Sequence, residues 1–296
     1  MVPMLVILPP SETKRTGGEG PPLALDSLML PSLTPVRRRL VESLRTLCSA
    51  TSEAGRADAL AALGLRPTMA AALDLNAALT SSPTTPALDR YTGVAFDALD
   101  AATLPPGARR RLAVGSALWG VVGADDPVPA YRLSGGARVP AEAAGDASTG
   151  TGRARTGAAG DAGTVTVRSV WGRELTDALT GWRDERRARG DNGAVVDLRS
   201  GAYHALGPVP GAVTLRVESR YPDGSRKVVS HFNKHYKGLV ARELALREEE
   251  LPDDPEGTAT AEALADVLRG TPRFRDAGFD AEVSGPASVT LTVPAG

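Results

Sequence analysis

The residues best equipped for chemistry are concentrated in Arg226 to Leu246, RKVVSHFNKHYKGLVARELAL. His231, Lys234, His235, Gly238 and Arg242 recur at offsets of three and four, so they share one helical face. Five Lys or Arg and no Asp or Glu lie between Arg226 and Arg242. A strand running into a helix that opens with Lys234, His235 and Lys237 can hold an anion, because the helix N-terminus adds free N–H groups and a positive dipole end. A solvated basic face is the competing reading of the same run. Gly238 costs about 1 kcal/mol against Ala inside a helix, so something approaches the backbone closely there. Three further polar groups follow or flank apolar runs. They are Ser11, Glu12 and Lys14 in the loop SETKRTGGEGPP, Arg132 between Tyr131 and Leu133, and Arg199 to His204 after Ala194–Leu198. Arg132 needs a carboxylate or an anionic ligand as its partner. Glu12 or His235 could serve as an acid or base, with Lys234 or Lys237 as an electrostatic clamp.

The elements that position these groups follow from periodicity. Met4 to Leu8 is a continuous apolar run closed by Pro9-Pro10, a buried strand whose following loop is a natural ligand position. Pro35 to Ser49 is a helix with Val36, Leu40, Leu44 and Leu47 inside and Arg37, Arg38 and Arg39 outside. Ala57 to Leu79 gives two short helices about Leu63-Gly64-Leu65. This pattern is similar to a DNA-binding helix-hairpin-helix, although Gly64 as a plain helix C-cap explains it equally. Ser81 to Pro86 reads as a turn and LAVGSALWGVVG as a strand-to-turn segment. Ala141 to Gly163, rich in Ala, Gly and Thr, is expected to be a disordered insertion. Val165 to Arg168 reads as a strand and RELTDALTGWRDERR as a helix. Val213–Ser219 and Arg226–Ser230 form a hairpin across Pro222-Asp223-Gly224. Its second strand feeds the basic helix, whose apolar stripe includes Phe232. Glu248 to Glu256 is an acidic, solvated linker. A helix over Thr258–Leu268, capped by Thr258 or Thr260, and one or two strands over Ala281–Val293 close the chain.

Composition sets outer limits. The chain has 296 residues, 42% of them hydrophobic, with a net charge of −1. A globally basic nucleic-acid protein is excluded, so any anion binding is local. The single cysteine, Cys48, rules out an intrachain disulfide framework and a cysteine-based zinc site, and its apolar helical setting suits a packed thiol. No cofactor or metal is expected from three histidines without ligand spacing. No apolar run approaches a membrane span, and no signal peptide is visible, so a cytoplasmic protein is expected.

In order, the chain carries LPPSETK, YTG, LWGVVGADDPVPAYRL, VWG, VDLRSGAYHAL and HFNKHYKGLVAREL. This ordered set resembles the YaaA peroxide-stress family from about Met4 to Val293. The resemblance implies a single α/β domain spanning 1–296, a mixed α+β arrangement on a central mixed sheet flanked by helices with a basic cleft. It also implies DNA binding, peroxide protection and lower free iron. Carried over by position, it points to Ser11, Thr13, Lys14, Tyr131, Arg132, Ser200, Tyr203, Lys234, Lys237, Gly238 and Arg242. Three departures remove positive charge. Glu12 stands where the family's SPAKT has Lys, Val122 to Asp126 lacks the Arg of LRPLD, and Asp197 replaces the Asn of NLAS.

Two functions follow. In the first, DNA binds with little base specificity through Lys14, Arg132, Lys234, Lys237 and Arg242. In the second, an enzyme acts on a small anionic or nucleotide-like substrate where the three polar loops converge. An open groove favours the first and a closed pocket the second.

Overall fold

The computed structural model describes residues 4–143, 163–199, 201–229 and 232–295. The buried run Leu5–Leu8 is strand β1, and β2 (Gly20–Pro22) follows its polar loop. Helices α1 (Thr34–Cys48), α2 (Glu53–Ala62) and α3 (Ala71–Ala77) come next. Then follow β3 (Pro83–Pro86) and the short helices α4 (Ala87–Arg90), α5 (Val94–Leu99) and α6 (Pro106–Arg109). The apolar segment expected as a strand and turn forms β4 (Leu112–Ser116) and β5 (Gly120–Gly123), with β6 (Pro127–Val128) and β7 (Arg138–Pro140) beyond. After 144–162, β8 (Thr164–Thr166), α7 (Val167–Trp171) and α8 (Glu174–Ala188) lead to β9 (Val195–Asp197). The hairpin strands are β10 (Val213–Arg220) and β11 (Arg226–Val228), and α9 (Asn233–Leu246) follows them. Helices α10 (Thr258–Gly270) and α11 (Pro272–Asp276) and strands β12 (Asp280–Gly285) and β13 (Ser288–Pro294) finish the chain.

The central sheet has the order β12-β13-β10-β9-β1-β4-β5, with β11 paired to the end of β10. Strands β4, β1, β9, β10 and β13 are parallel, while β5, β11 and β12 are antiparallel to their neighbours. The fold is therefore α/β with a mixed central sheet flanked by helices. Strand β1 lies between β4 and β9, with Val6 opposite both Leu112 and Val196. The chain leaves β1 to one side and returns later on the other, which makes the carboxyl end of β1 a topological switch point. Helix α9 packs against β1, β10 and α5. Among the described residues, no helix is long and apolar enough to cross a membrane.

Several sequence expectations need correction. Arg37 is not on a solvated face: it is fully buried and donates to the carbonyls of Trp119, Leu30, Met29 and Val121. Each of its three guanidinium nitrogens donates to a backbone carbonyl, which is what lets a guanidinium sit inside. Phe232 is 64% exposed, because α9 begins one residue later and the buried stripe starts at Leu239. The acidic stretch before α10 is an anchored loop. Glu250 pairs with Arg111 and accepts from the Met4 amide, and Asp253 accepts from Arg187 and the Gly193 amide. The strand expected at Val165–Arg168 stops at Thr166, whose hydroxyl accepts from the Ser169 amide and caps α7. Residues 83–86 are strand β3, not a turn, paired with β2 and β6. Gly257 occupies the N-cap of α10, and the Asp254 carboxylate accepts from the Ala259 amide, so neither threonine caps it. The segment expected as a disordered insertion falls, over 144–162, outside the described residues.

Candidate ligand site at the carboxyl edge of the sheet

The β1 loop is locked in place by hydrogen bonds before any ligand is considered. Ser11 Oγ donates to the Thr13 carbonyl (2.6 Å) and accepts from the Thr92 amide (3.3 Å). Thr92 Oγ1 donates to Thr13 Oγ1 (3.0 Å), and Lys14 forms a β-bridge with Tyr91. The YTG segment is thus the clasp that holds the loop. Lys14 is half-buried within it. Its Nζ donates to the Ser11 carbonyl (3.0 Å) and lies over the rings of Tyr131 (4.2 Å) and Tyr91 (5.0 Å). Burial lowers the Lys14 ammonium from 10.5 to about 7. Glu12 opposes that shift, and Arg132, Lys234 and Arg90 reinforce it. An amine in that range is part neutral at physiological pH, and removing it from water is the dominant cause.

Beneath it the two phenols form a chain with Ser116, the last residue of β4. Ser116 Oγ accepts from the amides of Leu118 (3.1 Å) and Trp119 (3.0 Å), which occupies both lone pairs. Its proton therefore goes to Tyr131 Oη (2.6 Å), and the Tyr131 proton to Tyr91 Oη (2.7 Å). Burial pushes the Tyr91 hydroxyl up to about 12 and the Tyr131 hydroxyl well above its ordinary value, so both phenols stay protonated. Tyr91 and Ser116 were not among the candidate residues. YTG pointed to Tyr91 as a motif member only, and nothing local marks Ser116.

Arg132 has the carboxylate partner its sequence setting demanded. Nη2 lies 3.1 Å from Glu12 Oε2, and Nη1 donates to the Glu12 carbonyl (3.0 Å). Its backbone is pinned from α3 by buried Asn76, which accepts from the Arg132 amide and donates to its carbonyl, each at 2.8 Å. Arg132 Nε is buried without a partner among the described residues. Tyr203 Oη reaches Glu12 Oε1 at 3.5 Å. These groups line a pocket of about 260 Å³ bounded by Glu12, Thr13, Lys14, Tyr131, Arg132 and the α3 side, where Met69 and Leu75 lie. A larger concavity of about 450 Å³ beside α8 is rimmed by Glu174, Asp177 and Glu185, which suits no anion.

The charge departures also resolve. Asp197 and Arg199 are both buried and paired, with Nη2 to Oδ2 at 2.7 Å and Nε to Oδ1 at 2.9 Å. The stem of Arg199 crosses β4 at Gly115, where a Cβ would sit 2.5 Å from Arg199 Cδ. The family's NLAS has no charge at either position, so the added Asp and the added Arg cancel beneath the site.

The basic helix divides. Lys234 is exposed and donates to the Pro10 carbonyl (3.2 Å), joining α9 to the β1 loop. Lys237 is 2% exposed and donates to the Leu198 carbonyl (2.9 Å). Burial lowers it to about 8, with Asp197 opposing the shift and Lys234 adding to it. Gly238 faces α5: a Cβ there would lie 2.1 Å from the Ala95 carbonyl oxygen, so helix packing is what comes close. Arg242, two turns beyond Lys234, donates to the carbonyls of Leu99 and Asp100 at the end of α5. His235 sits edge-on to Tyr236 and does not line the pocket that holds Glu12. Ser200 and His231 lie outside the described residues. At the hairpin between α2 and α3, Gly64 takes φ +65°. The Gly64 and Leu65 amides donate to Ala61 and Leu60, a helix C-cap that consumes them. Gly64, Arg66, Pro67 and Thr68 are exposed. Cys48 is buried, and burial raises its thiol to about 11.

A family model described as "Peroxide stress protein YaaA" matches residues 4–150 and 153–262, with its break inside the Gly/Ala-rich segment. A UPF0246 protein of Corynebacterium efficiens is 46% identical over 98% of this chain and 99% of its own length. A UPF0246 protein of Corynebacterium glutamicum is 44% identical over 92% of this chain and 98% of its own. One of Streptomyces coelicolor is 36% identical over 96% and 94%. With the match running through the β1 loop, the YTG clasp and the basic helix alike, the chain belongs to the YaaA (UPF0246) peroxide-stress family.

Proposed function

We propose that this is a peroxide-stress protein that binds DNA at the carboxyl edge of its sheet with little base specificity, helping to limit oxidative, iron-dependent damage. One observation carries the reading. The hairpin that joins α2 to α3 runs straight into a wall of the pocket holding Lys14 and Arg132, so a strand tracked over Arg66 to Met69 passes the pocket mouth. The basic cleft of this proposal is narrow. Lys237 is buried, and Arg242 is spent on the Leu99 and Asp100 carbonyls at the end of α5. Lys14 and Arg132 line the pocket and Lys234 is exposed, each tied to the β1 loop, so these three are left to meet phosphate. Three phosphate contacts give a log–log salt slope of about −2.7, and about −1.8 with Lys14 neutral, so affinity is modest at physiological salt.

The test is binding of labelled duplex and single-stranded DNA over a salt series, with an Arg132→Ala/Lys234→Ala variant. Salt-sensitive binding that the variant loses supports the reading. Absence of binding at low salt by the folded protein overturns it. A second reading, an enzyme or binder for a small anionic, nucleotide-like ligand, is favoured by the convergence of Glu12, Lys14, Tyr131 and Arg132 on one pocket of about 260 Å³. Thermal shift against nucleotides and phosphorylated sugars tests it.

A further inference from the structure

The chain contains four lysines against 30 arginines, and three of the four, Lys14, Lys234 and Lys237, meet at one edge of one sheet. Where charge alone is wanted this protein uses arginine. Lysine offers what a guanidinium cannot, an amine that loses its proton near neutrality and becomes nucleophilic. Only Lys14 combines that property with access. Lys237 is sealed beneath α9, and Lys234 is exposed and solvated. Among the described residues Lys14 Nζ makes one hydrogen bond, to the Ser11 carbonyl, and the residue lines the pocket with its amine over two aromatic rings. Arg132 lines the same pocket, and its guanidinium, held there by Glu12, is a fork suited to phosphate oxygens. Glu12 holds a carboxylate beside both.

We infer that Lys14 is an amine nucleophile that forms a Schiff base with the aldehyde of an open-chain sugar phosphate, whose phosphate is received by Arg132. The neutral amine adds to the carbonyl carbon to give a carbinolamine. The former aldehyde oxygen then leaves as water with the two amine protons, and a C=N bond remains. No oxidant or reductant is consumed, and Glu12 is placed to shuttle the proton to the departing oxygen. Such an aldehyde occurs in a free pentose phosphate and in the ring-opened sugar of an abasic site. The second source rests on the DNA-binding reading, and the first does not.

The experiment is borohydride trapping on the full chain, read by intact mass and peptide mapping, which four lysines make unambiguous. One arm uses 2-deoxyribose 5-phosphate and the other a duplex carrying an abasic site, whose binding is also measured without reductant. We expect a reduced adduct at Lys14 at least tenfold above Lys227, absent in Lys14→Met and weakened in Arg132→Ala. Trapping should rise with pH through about 7, as the amine loses its proton. Adduct from the free sugar phosphate but not from the duplex upholds the inference and counts against DNA as the source. A duplex that is bound but yields no Lys14 adduct, with none from the free sugar phosphate, overturns the inference and leaves DNA binding standing. Adducts spread evenly over the four lysines also overturn it.

Discussion

Replacing Lys14 with Met keeps a stem of similar length over Tyr91 and Tyr131 and removes the ammonium. In the fold Lys14 titrates at about 7 rather than 10.5. The unfolded chain therefore binds more protons than the folded one between those values, so stability rises with pH across that window. Below about pH 7 the penalty on the charged form is complete and constant. From pH 7 to 9 the unfolded lysine stays protonated while the folded one goes from half protonated to almost none. At about 1.4 kcal/mol per pKa unit, the wild-type protein gains about 2 kcal/mol over that interval. Water at the pocket mouth screens part of this, which leaves about 1–2 kcal/mol. Met has no such term, and the lost bond to the Ser11 carbonyl is a pH-independent offset. Urea unfolding of both proteins at pH 6, 7, 8 and 9 reads the difference directly, with m-values checked for constancy. The wild-type-minus-variant difference should be flat from pH 6 to 7 and climb by pH 9. A difference that stays flat throughout would refute the burial argument for Lys14.

Three other expectations follow from the packing. Gly238→Ala forces α5 and α9 apart by roughly an ångström at the Ala95 carbonyl. Overpacking of about 1–3 kcal/mol outweighs the propensity gain of about 1, so the urea midpoint should fall, and an unchanged midpoint contradicts the close approach. Arg37→Lys leaves several of the four carbonyls unpaired and should cost about 3 kcal/mol, nearly as much as Arg37→Met; full rescue by lysine contradicts a role for the guanidinium fork. Cys48, buried and with its thiol raised to about 11, should resist a thiol reagent until the chain unfolds, and rapid stoichiometric labelling of folded protein contradicts this.

What could be read from the sequence was what local pattern encodes. The LVIL run, the hairpin across Pro222-Asp223-Gly224 and the strand-to-helix switch before Asn233 are all short-range signals, and each produced the element expected. The apolar periodicity of α1 was equally plain, yet it could not separate Arg37 from Arg38 and Arg39. The three are adjacent and identical, and only the carbonyls of Trp119 and Val121, far along the chain, select the first for burial. The site shows the same division. Lys14 and Arg132 could be nominated by position after or beside apolar runs. The phenol chain under Lys14 joins three residues, one just past α4, one ending β4 and one in the loop after β6, a contact that no window of sequence contains. Phe232 was misplaced by counting helical phase from a residue that precedes the helix.

Burial explains why three lysines tolerate one edge. Charged together they would repel, and the Lys234 charge lowers both Lys14 and Lys237. Lys234 lies exposed to solvent. Lys237 exchanges solvent for the Leu198 carbonyl and the nearby Asp197 charge, tying α9 to the end of β9. Lys14 has an aromatic floor in place of a full hydration shell, and Glu12, the acid that could hold its proton, is already engaged by Arg132. A lysine at Glu12's position, as in the family pattern, would remove that ion pair and add a like charge beside Lys14. This chain's Glu12 therefore does two things at once: it restrains Arg132 at the mouth and keeps the Lys14 amine from falling further below its ordinary value. Glu12→Gln should loosen the hold on Arg132 and make Lys14 a weaker base, so phosphate binding should strengthen. Borohydride trapping at Lys14 should slow for want of the Glu12 proton shuttle, and trapping that rises in step with binding contradicts that role for Glu12.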